Sequence, residues 1–163
     1  MKKFFCCIVL LCLLGGVAFS QSSDEWNWGG IVRIRPLSMI SSLTLGEVNV
    51  IANWVPYVTP NIGIQIEADV LFIDGNAAIS ITGGVETVVF GKKEKNGLYL
   101  TAMAGAAFVN QRIYLAGKAY AGYQFVYNSG LVLIPAVGVL YIENLGMTLG
   151  IMLDIGFAYR RNR

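Results

Sequence analysis

The sequence predicts an all-β fold: an eight-stranded, antiparallel, up-and-down transmembrane β-barrel. Three observations lead there. In "IGIQIEADVLF" (62–72), Ile62, Ile64, Ile66, Ala68, Val70 and Phe72 alternate with Gly63, Gln65, Glu67 and Asp69, the pattern of a strand with two unlike faces. Turn signals recur along the chain at an even pace. The composition is also very apolar for a chain with no spanning helix. Of the 163 residues only 13% are charged, against roughly 25% in a typical soluble domain, and the mean hydropathy is +0.59. Outside the N-terminus no apolar run approaches the ~18 residues of a spanning helix. The longest, "LVLIPAVGVLYI" (131–142), contains Pro135 and stops at Glu143.

Residues 1–20 have the three parts of a cleaved signal peptide: Lys2 and Lys3, an apolar core from Phe4 to Leu14, and small residues at Ala18 and Ser20. Cleavage is expected between Ser20 and Gln21; a retained anchor helix is the alternative. Cys6, Cys7 and Cys12 all fall inside this segment, so an exported chain has no cysteine and no disulfide. Lipidation at Cys12 is a further reading, although Leu11 stands where a small residue is expected. Loss of Lys2 and Lys3 lowers the basic residues from 12 to 10 and leaves the acidic residues at 10. A neutral chain offers no basic surface to a nucleic acid.

Residues 21–28 form a short N-terminal segment, and the barrel is expected over 29–160, entered through Gly29-Gly30. The first strand sets Arg33 and Arg35 against Val32 and Ile34. A Ser-rich stretch around Ser41-Ser42 ends it. The second strand sets Glu47, Asn49 and Asn53 against Val48, Val50, Ala52 and Trp54. Thr59-Pro60-Asn61 leads into the third strand, which closes on Asp74-Gly75-Asn76. The fourth ends in "GKKEKNG" (91–97) and the fifth, "GLYLTAMAGAAF", at Asn110-Gln111-Arg112. In the sixth, Ile113, Leu115, Ala119, Ala121, Tyr123, Phe125 and Tyr127 oppose Lys118, Tyr120, Gly122 and Gln124. Asn128-Ser129-Gly130 and Glu143–Gly146 bracket the seventh. The last strand alternates Met147, Leu149, Ile151, Leu153, Ile155, Phe157 and Tyr159 with Thr148, Gly150, Met152, Asp154, Gly156 and Ala158. Residues 161–163 are a basic tail. Each turn carries Gly, Pro, Asn, Asp or Ser, which have backbone reasons to bend. Seven turns make eight strands of about a dozen residues, slightly more than the ~9–11 that cross a bilayer at a tilt.

The direction of the faces follows from their poverty in charge. Turned to water, the polar faces would offer Gly, Ala, Ser and Thr with one or two charges per strand, and the fifth and seventh strands would offer no polar face. Turned inward, they fill an interior that eight strands leave wide enough only for side chains, while the aliphatic faces meet lipid. With the N-terminus on the periplasmic side, Trp54, Phe125, Tyr127, Phe157 and Tyr159 share one rim, and Phe72, Phe108 and Tyr141 the other. Tyr123, outward beside Phe125, completes this interface set.

The mature chain resembles the small eight-stranded outer-membrane barrels of Gram-negative-type bacteria: the OmpA membrane domain, OmpX and OmpW. "AGYQFVYNSGLVLIPAVGVLY" (121–141) and "LGIMLDIGFAYR" (149–160) carry the resemblance. It implies an outer-membrane location after export, outer-membrane lipids as surroundings, and the barrel-assembly machinery as a biogenesis partner. The family's chains usually end on the aromatic residue, whereas "RRNR" follows Tyr159 here. The resemblance is one of pattern and carries no functional motif.

No catalytic chemistry is legible. The chain has no histidine, which removes Ser-His, Cys-His and most zinc arrangements, including the histidine-serine pairs of lipid-modifying barrels. "GKKEK" lacks the rest of a phosphate loop, and no glycosylation sequon or EF-hand pattern occurs. No cofactor or metal is expected. The one polar constellation is the lumen set: Arg33, Arg35 and Lys118 face Glu47, Glu67, Asp69, Glu86 and Asp154, with Glu67 and Asp69 expected beside Arg33 and Arg35. Charges in so narrow an interior must pair. The set reads as a static network that pins the barrel, or as a gate whose pairs exchange. The expectation is therefore a monomeric, non-enzymatic, structural outer-membrane barrel. Two alternatives stay open. One is a narrow route for small hydrophobic molecules through a partly apolar lumen, with an opening near Pro135. The other is an adhesin acting through "PLSMISSLT" (36–44).

Overall fold

A computed structural model of the chain describes residues 28–38, 48–59, 61–73, 76–91 and 96–160. The expected signal peptide, Cys12, Glu47, most of the 36–44 loop and the basic tail lie outside them. Eight strands follow one another: β1 (Trp28–Ile34), β2 (Val48–Pro56), β3 (Ile62–Ile73), β4 (Asn76–Gly91), β5 (Gly97–Val109), β6 (Arg112–Val126), β7 (Leu131–Ile142) and β8 (Gly146–Arg160). Each pairs antiparallel with the next, and β8 pairs with β1 to close the barrel. Closure removes the exposed edges that an open sheet would leave.

The turns fall where the punctuating residues stand. β5 passes to β6 through Asn110 and Gln111, both left-handed at φ 49° and 63°, while Val109 pairs with Arg112. This two-residue primed turn matches the twist of the flanking strands. At the β6–β7 turn Gly130 takes φ 85°, and its amide donates to the Tyr127 carbonyl at 2.9 Å. Before β3, the Thr59 hydroxyl accepts from the amides of Asn61 and Ile62 at 3.3 and 3.0 Å.

Two features differ from evenly paired strands of a dozen residues: the lengths, which reach 16 in β4 and 15 in β6 and β8, and the pairing of β7. β1 has 7 residues and β2 has 9. Pro36 opens a helical turn at 36–38, and a residue without an N–H cannot continue a ladder. The second difference lies at Pro135. β6 and β7 keep one register throughout, but the pairs opposite Ile134 and Pro135 are missing between Gly122–Ala136 and Phe125–Leu133. The strand neither bulges nor parts there: a Cβ on Gly122 would stand 2.5 Å from the Pro135 carbonyl oxygen.

The barrel is inside out relative to a soluble protein. Leu149 and Ile151 are each 76% exposed and Ile64 47%, while Gln65 and Glu67 are 0% and Arg33 2% exposed. Lipid solvates such a wall, and the wall's own closed ladder satisfies its backbone. This is the surface of a transmembrane β-barrel. Toward the rim that carries the chain ends, the interior is filled by Ile31, Val55, Tyr57, Val88, Tyr99, Val132 and Ile134.

Candidate functional site: the charged lumen

Alternation turns every second side chain of a strand into the lumen, and seven of the eight expected charges meet there. Arg33 comes from the end of β1 and Arg35 from the residue just after it, Glu67 and Asp69 from β3, Glu86 from β4, Lys118 from β6 and Asp154 from β8. Arg33 Nη2 pairs with Glu86 Oε2, and its Nε lies 3.5 Å from Asp154 Oδ2. Arg35 donates from Nε to Asp154 Oδ1 at 2.7 Å and from Nη2 to Glu67 Oε2 at 3.1 Å. Lys118 Nζ reaches Glu67 Oε1 at 2.5 Å, with Asp69 Oδ2 and Ser80 Oγ each at 3.3 Å. The chain of pairs runs from Glu86, just above the apolar fill, to Asp69 toward the opposite rim.

The partners differ from the expected ones. Glu67 lies beside Arg35 but not Arg33, and Asp69 meets Lys118. Arg33 is taken by Glu86 and Asp154 instead. The strands tilt as the sheet closes, so facing side chains on non-adjacent strands sit at levels that strand numbering does not reveal. Among the described residues three cations meet four carboxylates.

Residues outside the expected set complete the network. Tyr99 lies under Arg33, with the guanidinium carbon 5.8 Å from its ring centroid, and Tyr120 under Arg35 at 4.9 Å. The Tyr120 hydroxyl also reaches Glu67 Oε1 at 3.5 Å. Gln65 Nε2 donates to Asn53 Oδ1 at 2.6 Å, and Gln65 Oε1 accepts from Thr101 at 3.2 Å. Tyr99 and Thr101 correct the reading of β5 as a strand without a polar face. Their shared parity with the buried Met103 was the available signal. The inner face of β7, by contrast, is apolar as read: Val132, Ile134 and Ala136 are buried.

The expected interface aromatics stand on the outer wall at two levels. Toward the chain ends, Trp54 Nε1 donates to the Tyr159 hydroxyl at 3.0 Å, Tyr123 and Phe125 have ring centroids 4.9 Å apart, and Tyr127 and Phe157 are exposed. Toward the other rim, Phe72 pairs with Val48 and Ala77, Phe108 with Ile79 and Ile113, and Tyr141 with Gly117 and Met147. No group of metal-ligating side chains occurs among the described residues.

No protein-family model matches the chain, and no curated protein matches it. Among solved structures, one described as "De novo design of transmembrane beta-barrels" is similar over 86% of this chain and 100% of that one. The TM-score is 0.45 and the identity 18%. The character of the barrel is decided by its own register and burial.

Proposed function

We propose that the chain is an exported, monomeric barrel of a bacterial outer membrane, without enzymatic activity, whose lumen is closed and whose role is structural. One observation carries this reading. The lumen charges are buried and form ion pairs among residues of β1, β3, β4, β6 and β8 and Arg35 just after β1, while the wall's large apolar side chains face outward. A buried ion left alone is costly, so such a network holds its strands in one arrangement. The apolar fill at one end, around Ile31, Val55, Val88 and Val132, supports a closed lumen over a gated one. The two rims of aromatics suit the membrane–water interfaces. Cell fractionation followed by electrophoresis of boiled and unboiled samples tests it. An outer-membrane band whose mobility shifts on boiling is expected; a soluble periplasmic protein would end the proposal.

The buried Val132, Ile134 and Ala136 of β7 favour one second reading, passage of small hydrophobic molecules. It predicts that alkyl ligands stabilise the folded barrel in detergent, and a closed structural lumen predicts no such effect.

A further inference from the structure

The β6–β7 seam leaves a main-chain acceptor without its ladder donor. Along β6 the odd-numbered residues face β7: Tyr127 donates to the Leu131 carbonyl at 2.9 Å, and the Leu115 carbonyl accepts from Glu143 at 2.8 Å. Tyr123 shares that parity. The unbroken register between Gly122–Ala136 and Phe125–Leu133 places it opposite Pro135, whose nitrogen carries no hydrogen. The ladder therefore supplies the Tyr123 carbonyl with no partner, and these are the pairs absent from an otherwise continuous seam. In a hydrocarbon setting such a group must find a donor elsewhere.

The missing pairs lie on the lipid-facing wall near one rim. Tyr123 pairs on its other side with Leu98, next to the strand's first residue Gly97, so it stands close to the rim carrying the chain ends. Its ring and that of Phe125 are exposed on the outer wall, as is Pro135. The wall at this point offers two aromatic rings and a proline ring, and the Tyr123 carbonyl lies in the seam beside them. The close approach of Gly122 to the Pro135 carbonyl keeps the two strands together at this point.

We infer that this notch binds a phospholipid whose headgroup carries an N–H donor, with the ammonium hydrogen-bonded to the Tyr123 carbonyl. The inference rests on the barrel standing in a bilayer, which the boiling shift reports independently of any lipid preference.

Native mass spectrometry of the folded barrel, loaded with equal amounts of phosphatidylethanolamine and phosphatidylcholine of identical acyl chains, tests it. Only the first headgroup has N–H donors. The wild-type chain is expected to retain it over the second by about 2- to 10-fold, the ratio one net hydrogen bond confers. Pro135→Ala supplies the missing N–H, closes the ladder and brings the ratio to about one; Pro135→Val provides the same test should the alanine variant fail the boiling shift. A wild-type ratio near one, or a preference unchanged in the folded variants, would overturn the inference.

Discussion

Glu67 shows how a single side chain reports the orientation of the whole wall. It is fully buried, accepts from Lys118 and Arg35, and lies between Ile66 and Ala68, both of which are exposed. Replacing Glu67 and Asp69 together by leucine strips Lys118 of both its carboxylates and Arg35 of one. Breaking buried pairs from one side costs about 3–5 kcal/mol, and that loss is expected in the unfolding free energy measured in detergent or lipid. Changing Ile64 or Ile66 to lysine does different damage. Each cation then sits on the lipid face at or beyond the level of Trp54, where the cost falls from the ~2–4 kcal/mol of the midplane toward the ~0–1 of the interface. A barrel with its charged faces in water predicts that the leucine replacements are almost silent, so the two measurements together discriminate. The alternation that makes Glu67 inward was legible in the sequence. Its partners were not, because which cation stands opposite depends on tilt and closure rather than on spacing along one strand.

Individual strands divide in the same way between what pattern announces and what contacts decide. The faces of β3, β6 and β8 were readable because their bulky apolar residues recur at every second position. β5 hid its polar side because it carries no charged residue of its own, and an inward tyrosine looks like any strand aromatic until Arg33 is placed against it. The shortness of β1 follows from Pro36, but its closure against β8 involves a glycine whose reason is spatial. A Cβ at Gly30 would stand 2.5 Å from the Val55 carbonyl oxygen and 2.7 Å from the Tyr159 hydroxyl, which Trp54 holds across β1. Gly30→Val is expected to destabilise by about 1–3 kcal/mol, as overpacking does, with loss of the Trp54 fluorescence signature of that contact. The β5–β6 turn predicts the opposite sign. Gln111 sits at φ 63°, where a non-glycine residue is penalised by roughly 1–2 kcal/mol. Gln111→Gly relieves it at some cost in chain entropy. A net gain of up to about 1 kcal/mol is expected in denaturant titrations of the refolded barrel.

For the molecule as a whole, the ion pairs that cross the lumen and the apolar fill beneath them act together. The network ties five of the eight strands through the interior, and Ile31, Val55, Val88 and Val132 fill the end at which Trp28 and Arg160 stand. Reconstituted into planar bilayers, the barrel is expected to give no steady conductance, and steps that persist across preparations would replace the closed lumen with a conduit. The central claim, that apolar faces meet lipid while charges meet one another inside, has a direct test because all three cysteines lie in the first twelve residues. Chains begun after Ser20 provide a cysteine-free background. Spin labels placed one at a time from Ile64 to Val70 in lipid-reconstituted protein report collision with oxygen, which concentrates in hydrocarbon, and with a water-soluble nickel chelate. The account predicts a period of two, with high oxygen collision at 64, 66 and 68 and little of either at 65 and 67. Nickel collision at 65 and 67 with none of oxygen at 64 and 66 would contradict it.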